Sequence, residues 1–174
     1  MLALLLSFAV VVLDQVTKHW VRAHFYPGQT TPVVDGLFNL SFVRNTGAAW
    51  GMFGGFNAGL VAVSIVMLTL LVVFRKRFLD DTLVHRIALG LMIGGIVGNL
   101  CDRLKLQYVV DFLDFYWKQS HFPSFNVADS AICIGTGLYV LSTFLSSSHP
   151  LRGAIERSTE KTGGTASPGP STPT

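Results

Sequence analysis

The residues able to do chemistry fall in separate stretches of an otherwise apolar chain, and two of them are carboxylic acids in contrasting surroundings. Asp111 sits in Tyr108-Val109-Val110-Asp111-Phe112-Leu113, with no cation beside it. Apolar surroundings favour the protonated form of such a carboxyl. Asp129 closes Phe125-Asn126-Val127-Ala128-Asp129, where Asn126 is suited to cap a helix and Asp129 falls at its third position. A helix N-terminus favours negative charge there. Two carboxyls held to different protonation states make an acid/base pair. Taken singly, Asp129 reads equally well as a simple cap, and Asp111 as a solvated acid on an edge strand.

The other polar groups suggest support. Asp14 and Lys18 have i,i+4 spacing with the acid first, the better order for a helical ion pair; a structural or substrate-orienting role is expected. Asn99, Asp102 and Arg103 share one helical face, from which Arg103 could clamp a carboxylate or a carbonyl. There is no G-x-S-x-G, H-E-x-x-H, P-loop or dinucleotide motif, so no metal or cofactor is expected. His19, His24, His85, His121 and His149 lack ligand spacing and read as interfacial or solvated side chains. Cys101 and Cys133 read as buried free thiols.

Placing these groups is the task of membrane elements. Of the 174 residues only 13% are charged, against roughly 25% in soluble domains, so lipid is expected to be the main solvent. The net charge of +3 comes with no basic, aromatic-interleaved run, which argues against a nucleic-acid partner. A helix needs about 20 mostly apolar residues to span the hydrocarbon. Four candidates qualify, near residues 2–21, 57–74, 83–102 and 126–145. The first has no charged leader and no cleavage signal, and is read as a retained span. Arg75, Lys76, Arg77 and Arg86 between spans two and three, with Arg152, Arg157 and Lys161 after span four, predict cytoplasmic N- and C-termini. Asp14, about 18 Å along the first helix, then lies in the outer half with the other acids. Leu37 to Arg44 and Tyr108 to Trp117 are rich in strand formers, and predict a small extracytoplasmic sheet with Trp20, Trp50, Tyr116 and Trp117 near the interface. Gly90, Gly94, Gly95 and Gly98 in span three, with Ala131 and Gly135 in span four, have the small-residue spacing of close helix packing. Residues 1–145 form the expected membrane domain; the Ser/Thr/Gly/Pro-rich 146–174 read as a disordered cytoplasmic tail.

Five blocks in order are similar to the signal peptidase II (lipoprotein signal peptidase) family: Asp14-x-x-x-Lys18, Val43-Arg44-Asn45-Thr46-Gly47-Ala48-Ala49-Trp50-Gly51, Gly98-Asn99-x-x-Asp102-Arg103, Val109-Val110-Asp111-Phe112, and Phe125-Asn126-x-Ala128-Asp129. The resemblance covers about residues 2–145. It implies a four-helix membrane fold with an outer β-cradle. The implied activity is an aspartic endopeptidase of the bacterial inner membrane, cutting diacylglyceryl-modified prolipoproteins just before the lipidated cysteine; a monomer is expected. It implies Asp111 and Asp129 as catalytic residues. It further implies Asp14, Lys18, Asn45, Gly47, Asn99, Asp102, Arg103, Asn126 and Ala128 as substrate-binding or supporting ones. The competing expectation is a small proton-coupled transporter, in which buried acids relay protons across the whole membrane depth.

Overall fold

The computed structural model describes residues 1–48, 52, 54–75 and 82–147. In chain order the elements are α1 (Leu2–His24), β1 (Thr30–Val34), β2 (Phe38–Asn45), α2 (Asn57–Val73), α3 (Leu83–Leu106), β3 (Val109–Trp117), β4 (Ser120–His121) and α4 (Val127–Ser147). Met1–Tyr139 form one compact unit; of the second, Val140–Thr174, the described part is the end of α4. Trp50, Lys76, Arg77 and the tail carrying Arg152, Arg157 and Lys161 lie outside the described residues.

Among the described residues three helices are long and apolar enough to cross a membrane: α1 with 23 residues, α3 with 24, and Val127–Leu145 of α4 with 19. The second expected span, α2, is apolar but has only 17 residues, about 25 Å at 1.5 Å per residue against a hydrocarbon core of roughly 30 Å. No residue of α2 is buried within the protein, which suits a helix surrounded by lipid.

Helix α3 is the axis against which the others pack, and its glycines set the contact distance. A side chain at Gly90 would meet the Ala3 carbonyl, and one at Gly94 would lie 2.8 Å from both the Ser7 carbonyl oxygen and Val10 Cβ. Without Cβ atoms there, α1 approaches closely enough for Ser7 Oγ to donate to the Gly90 carbonyl at 2.9 Å. On the other side Gly95 faces α4, and Gly135 of α4 lies against the Ala88 carbonyl.

The strands form one antiparallel sheet in the order β1-β2-β3-β4. Strand β1 was not expected from the sequence, because Pro32 cannot donate to a ladder. It is accommodated at the sheet edge, with all five residues exposed. Strands β2 and β3 pair Leu40 with Leu113 and Val43 with Asp111. Two residues, Ser41 and Phe42, thus oppose Phe112 alone in a β-bulge. Behind the sheet, Val21 of α1 packs with Phe42, Val110 and Phe112. This core fixes the sheet to the C-terminal end of α1. Two further expectations need correction. His85 is buried against Tyr139 rather than solvated, since it lies on the packed face of α3. Cys133 is exposed and Cys101 half-buried, both as free thiols.

Replacing Gly94 by Val should force α1 away from α3 and destabilise the fold by about 1–3 kcal/mol, as overpacking does. A lower Tm of G94V than of the parent in detergent is the expected measurement.

Candidate active site

Asp111 and Asp129 come from β3 and α4, and the residue that joins them is Asn126. Residues 123–126 run beside β3: the Phe125 carbonyl accepts from Phe112 N at 3.0 Å and from Leu113 N at 2.9 Å. This pairing delivers Asn126 next to Asp111. Asn126 Nδ2 donates to Asp111 Oδ1 at 2.6 Å, while its Oδ1 accepts from Asp129 N at 2.9 Å. The Asn126 amide N–H in turn donates to Asp129 Oδ2 at 3.2 Å. Reciprocal bonds of this kind are a capping box. The helix cap and the carboxyl pair are one construction.

Each carboxyl has a second amide donor. Asn45 Nδ2, at the end of β2, donates to Asp111 Oδ2 at 2.9 Å. Asn99 Nδ2 of α3 donates to Asp129 Oδ1 at 2.7 Å. The Asn45 side chain is itself held, its Oδ1 accepting from Gly47 N at 2.9 Å, and the Gly47 carbonyl accepts from Arg103 at 3.1 Å. Arg103 therefore grips the turn after β2 rather than either carboxylate. A groove of about 250 Å³ opens beside Asp111, lined by residues 43–47, Pro123 and Ser124. Of the two acids, Asp111 lines it.

Behind the acids lies a buried ionic layer. Lys18 Nζ is 2.9 Å from Asp14 Oδ2, 3.2 Å from Asp102 Oδ2 and 2.8 Å from Asn99 Oδ1. Asp14 Oδ1 accepts from Ala128 N at 2.9 Å, and Asp102 Oδ2 from Val110 N at 3.0 Å. Ala128 is fully buried, and a Cβ at Gly98 would lie 2.6 Å from Asp14 Oδ2. Gly98 thus leaves the space that the Asp14 carboxylate occupies. Every expected site residue belongs to this one connected network. Gln15 was missed: its Nε2 reaches Asp14 Oδ2, the Gly98 carbonyl and Asp102 Oδ1 at 3.1–3.2 Å. An amide in the middle of an apolar run was the available signal, the same one that marks buried acids.

The chain is also similar in sequence and fold to known proteins. A family model described as signal peptidase (SPase) II matches residues 6–145. The chain belongs to the signal peptidase II family. It is 45% identical over 145 residues to the lipoprotein signal peptidase of Shewanella loihica, covering 81% of this chain and 85% of that one. To the lipoprotein signal peptidase of Geobacter sulfurreducens it is 44% identical over 131 residues, covering 74% and 82%. A bacterial membrane enzyme solved by the in meso method at 2.3 Å resolution superposes with a TM-score of 0.78 at 32% identity, covering 84% of this chain and 89% of that one. A second such structure, at 1.9 Å, gives 0.72 at 33% identity. Membership in the signal peptidase II family makes this chain a membrane-bound peptidase.

Burial pushes the Asp111 carboxyl up to about 7, helped by the nearby charge of Asp129; the Asn45 and Asn126 donors and the Lys18 charge pull the other way. Asp111 should therefore keep its proton in mildly acidic solution and lose it as pH rises through about 7. In difference infrared spectra, a carboxyl C=O band absent from D111N should vanish with that midpoint. Asn45→Ala removes a donor that favours the carboxylate, so the midpoint should move to higher pH.

Proposed function

We propose that the chain is an aspartic endopeptidase that releases the signal peptide from diacylglyceryl-modified prolipoproteins, cutting just before the lipidated cysteine. The observation that carries this reading is the bridge through Asn126, whose side-chain amide donates to the Asp111 carboxyl and whose backbone N–H donates to the Asp129 carboxyl, beside an open groove. The substrate comes from the family: the similar chains of Shewanella loihica and Geobacter sulfurreducens are lipoprotein signal peptidases.

In this reading Asp129 takes a proton from water while the water oxygen attacks the scissile carbonyl carbon. Asp111 gives its proton to the carbonyl oxygen. The tetrahedral diol collapses, the C–N bond breaks, and the amine leaves with the proton that Asp129 had taken. Asp111 recovers its proton from the diol hydroxyl. The singly protonated pair is the working form. No metal, cofactor or covalent intermediate takes part. Asn45, Asn99 and Asn126 orient the acids, and Asp14, Lys18, Asp102, Arg103, Gly47 and Ala128 hold the backbone that carries them.

We further propose a four-span, monomeric arrangement in the bacterial inner membrane, with α2 as the short span, both termini cytoplasmic, residues 1–145 as the membrane domain and 146–174 as a cytoplasmic tail. The acids then lie at the outer face, where the sheet meets lipid. The diacylglyceryl group can stay in the bilayer while water reaches the peptide bond. A proton-coupled carrier is disfavoured because Asp14, Asp102, Asp111 and Asp129 belong to one connected cluster and α2 carries no ionisable residue.

Asp111→Asn and Asp129→Asn should each lower cleavage of a lipidated precursor by roughly 10²–10⁴-fold or more, the usual range for losing a general acid or base, with membrane insertion retained. Normal processing by either variant would rule out the pair. The unlipidated precursor should remain uncut. A chelator should leave cleavage intact, and loss of activity on chelation would point instead to a metal-dependent hydrolase.

A further inference from the structure

One ammonium group touches the supports of both acids. Lys18, 2% exposed, lies within 3.2 Å of the Asp14 and Asp102 carboxylates, which belong to α1 and α3. Each of those carboxylates accepts the backbone N–H of the residue just before one acid: Ala128 before Asp129, Val110 before Asp111. Lys18 also donates to Asn99, whose amide donates to Asp129. Three routes thus run from a single cation to the pair, two by way of carboxylates and one by way of a side-chain amide.

We propose that Lys18 is a positioning residue whose charge holds Asp14 and Asp102 together and thereby sets both the spacing and the working pH range of the Asp111–Asp129 pair. The inference rests on reading those two acids as the reacting groups. The charged groups around the pair are Asp14 and Lys18 from α1, Arg44 of β2, which lines the groove with Asp111, Asp102 and Arg103 from α3, Asp111 on β3 and Asp129 on α4, so the local charge balance is small and the loss of one cation shifts it. Removing Lys18 leaves the Asp14 and Asp102 carboxylates bridged by the neutral Gln15 amide, with no cation between them. Added negative charge near the pair makes each deprotonation harder. Removing Asp14's charge as well restores the local balance, while an asparagine there can still accept from Ala128 N.

The test is the pH profile of kcat/KM for the lipidated precursor, with four proteins compared in the same membrane. Lys18→Met should lower the optimum kcat/KM by roughly 100-fold, as misplacement of a reacting group by about 1 Å does, and should move both limbs of the bell to higher pH. The double variant K18M/D14N should bring the limbs back toward the parent position, even with the rate still low. Lys18→Arg should keep the parent limbs. A purely structural role predicts lower rates with an unmoved bell, and that result would overturn the proposal; so would a double variant whose limbs stay with K18M. The Asp111 infrared band gives the same comparison without substrate: its midpoint should rise in K18M and fall back in K18M/D14N. If the parent cuts no lipidated precursor, the peptidase reading fails while the infrared series still decides the role of Lys18.

Discussion

Placing a charged ammonium inside a protein surrounded by lipid is expensive, and the structure tolerates Lys18 only because two carboxylates and an amide oxygen surround it at 2.8–3.2 Å. Removing one partner of such a buried pair typically costs about 3–5 kcal/mol, because the survivor is left uncompensated. Each member of the cluster therefore depends on the others. The cluster forms only when α1 lies at the correct depth and rotation against α3, and the glycines at 90 and 94 permit that approach. Helix packing and charge compensation specify the same geometry, which is the mutual consistency expected of a sequence with one fold.

The same cluster explains how acids from remote segments come to share a site. Lys18 and Asn99 are 81 residues apart, and Asp14 and Ala128 are 114 apart. Neither the sheet nor the start of α4 has a large apolar core of its own to fix its position: the packed cluster under the sheet is four buried residues, Val21, Phe42, Val110 and Phe112. Hydrogen bonds to backbone N–H groups supply the missing precision. They act one residue before each acid, so they fix where the chain runs and leave the acid side chains free to meet their own donors.

Much of this was legible in the sequence, though unevenly. The membrane helices follow from long apolar runs, and the cap formed by Asn126 with Asp129 follows from residue type and spacing. The Asp14–Lys18 pair follows from i,i+4 geometry, and the ion pair is present at 2.9 Å. What did not follow were the pairings between segments. Nothing local indicates that Asp102 reaches Val110 N, that Arg103 turns to the Gly47 carbonyl, or that Gln15 joins the layer. Strand β1 was hidden by Pro32, since propensity argues against a strand that tertiary structure allows only at an edge. His85 misled in the opposite sense. A titratable type suggested solvent, yet its position on the packed face of α3 buries it against Tyr139.

The bulge at Ser41 and Phe42 matters beyond its effect on strand shape. Strand side chains alternate with a period of two. Counting regularly from Leu40, Phe42 and Arg44 would lie on the face that carries Asp111. The extra residue reverses the phase, so Phe42 joins Val110 and Phe112 in the core, and Arg44 lies over the rings of Phe42 and Tyr108 at 5.8 and 5.1 Å. Asn45 takes the place beside Asp111. A neutral amide there leaves Asp111 able to hold a proton, whereas a guanidinium would favour the carboxylate. One inserted residue thus acts as a parity bit, choosing which of two adjacent side chains, one charged and one neutral, the acid sees. The length of chain between Leu40 and Val43 is constrained by electrostatics, while the turn joining β1 to β2 has no such duty.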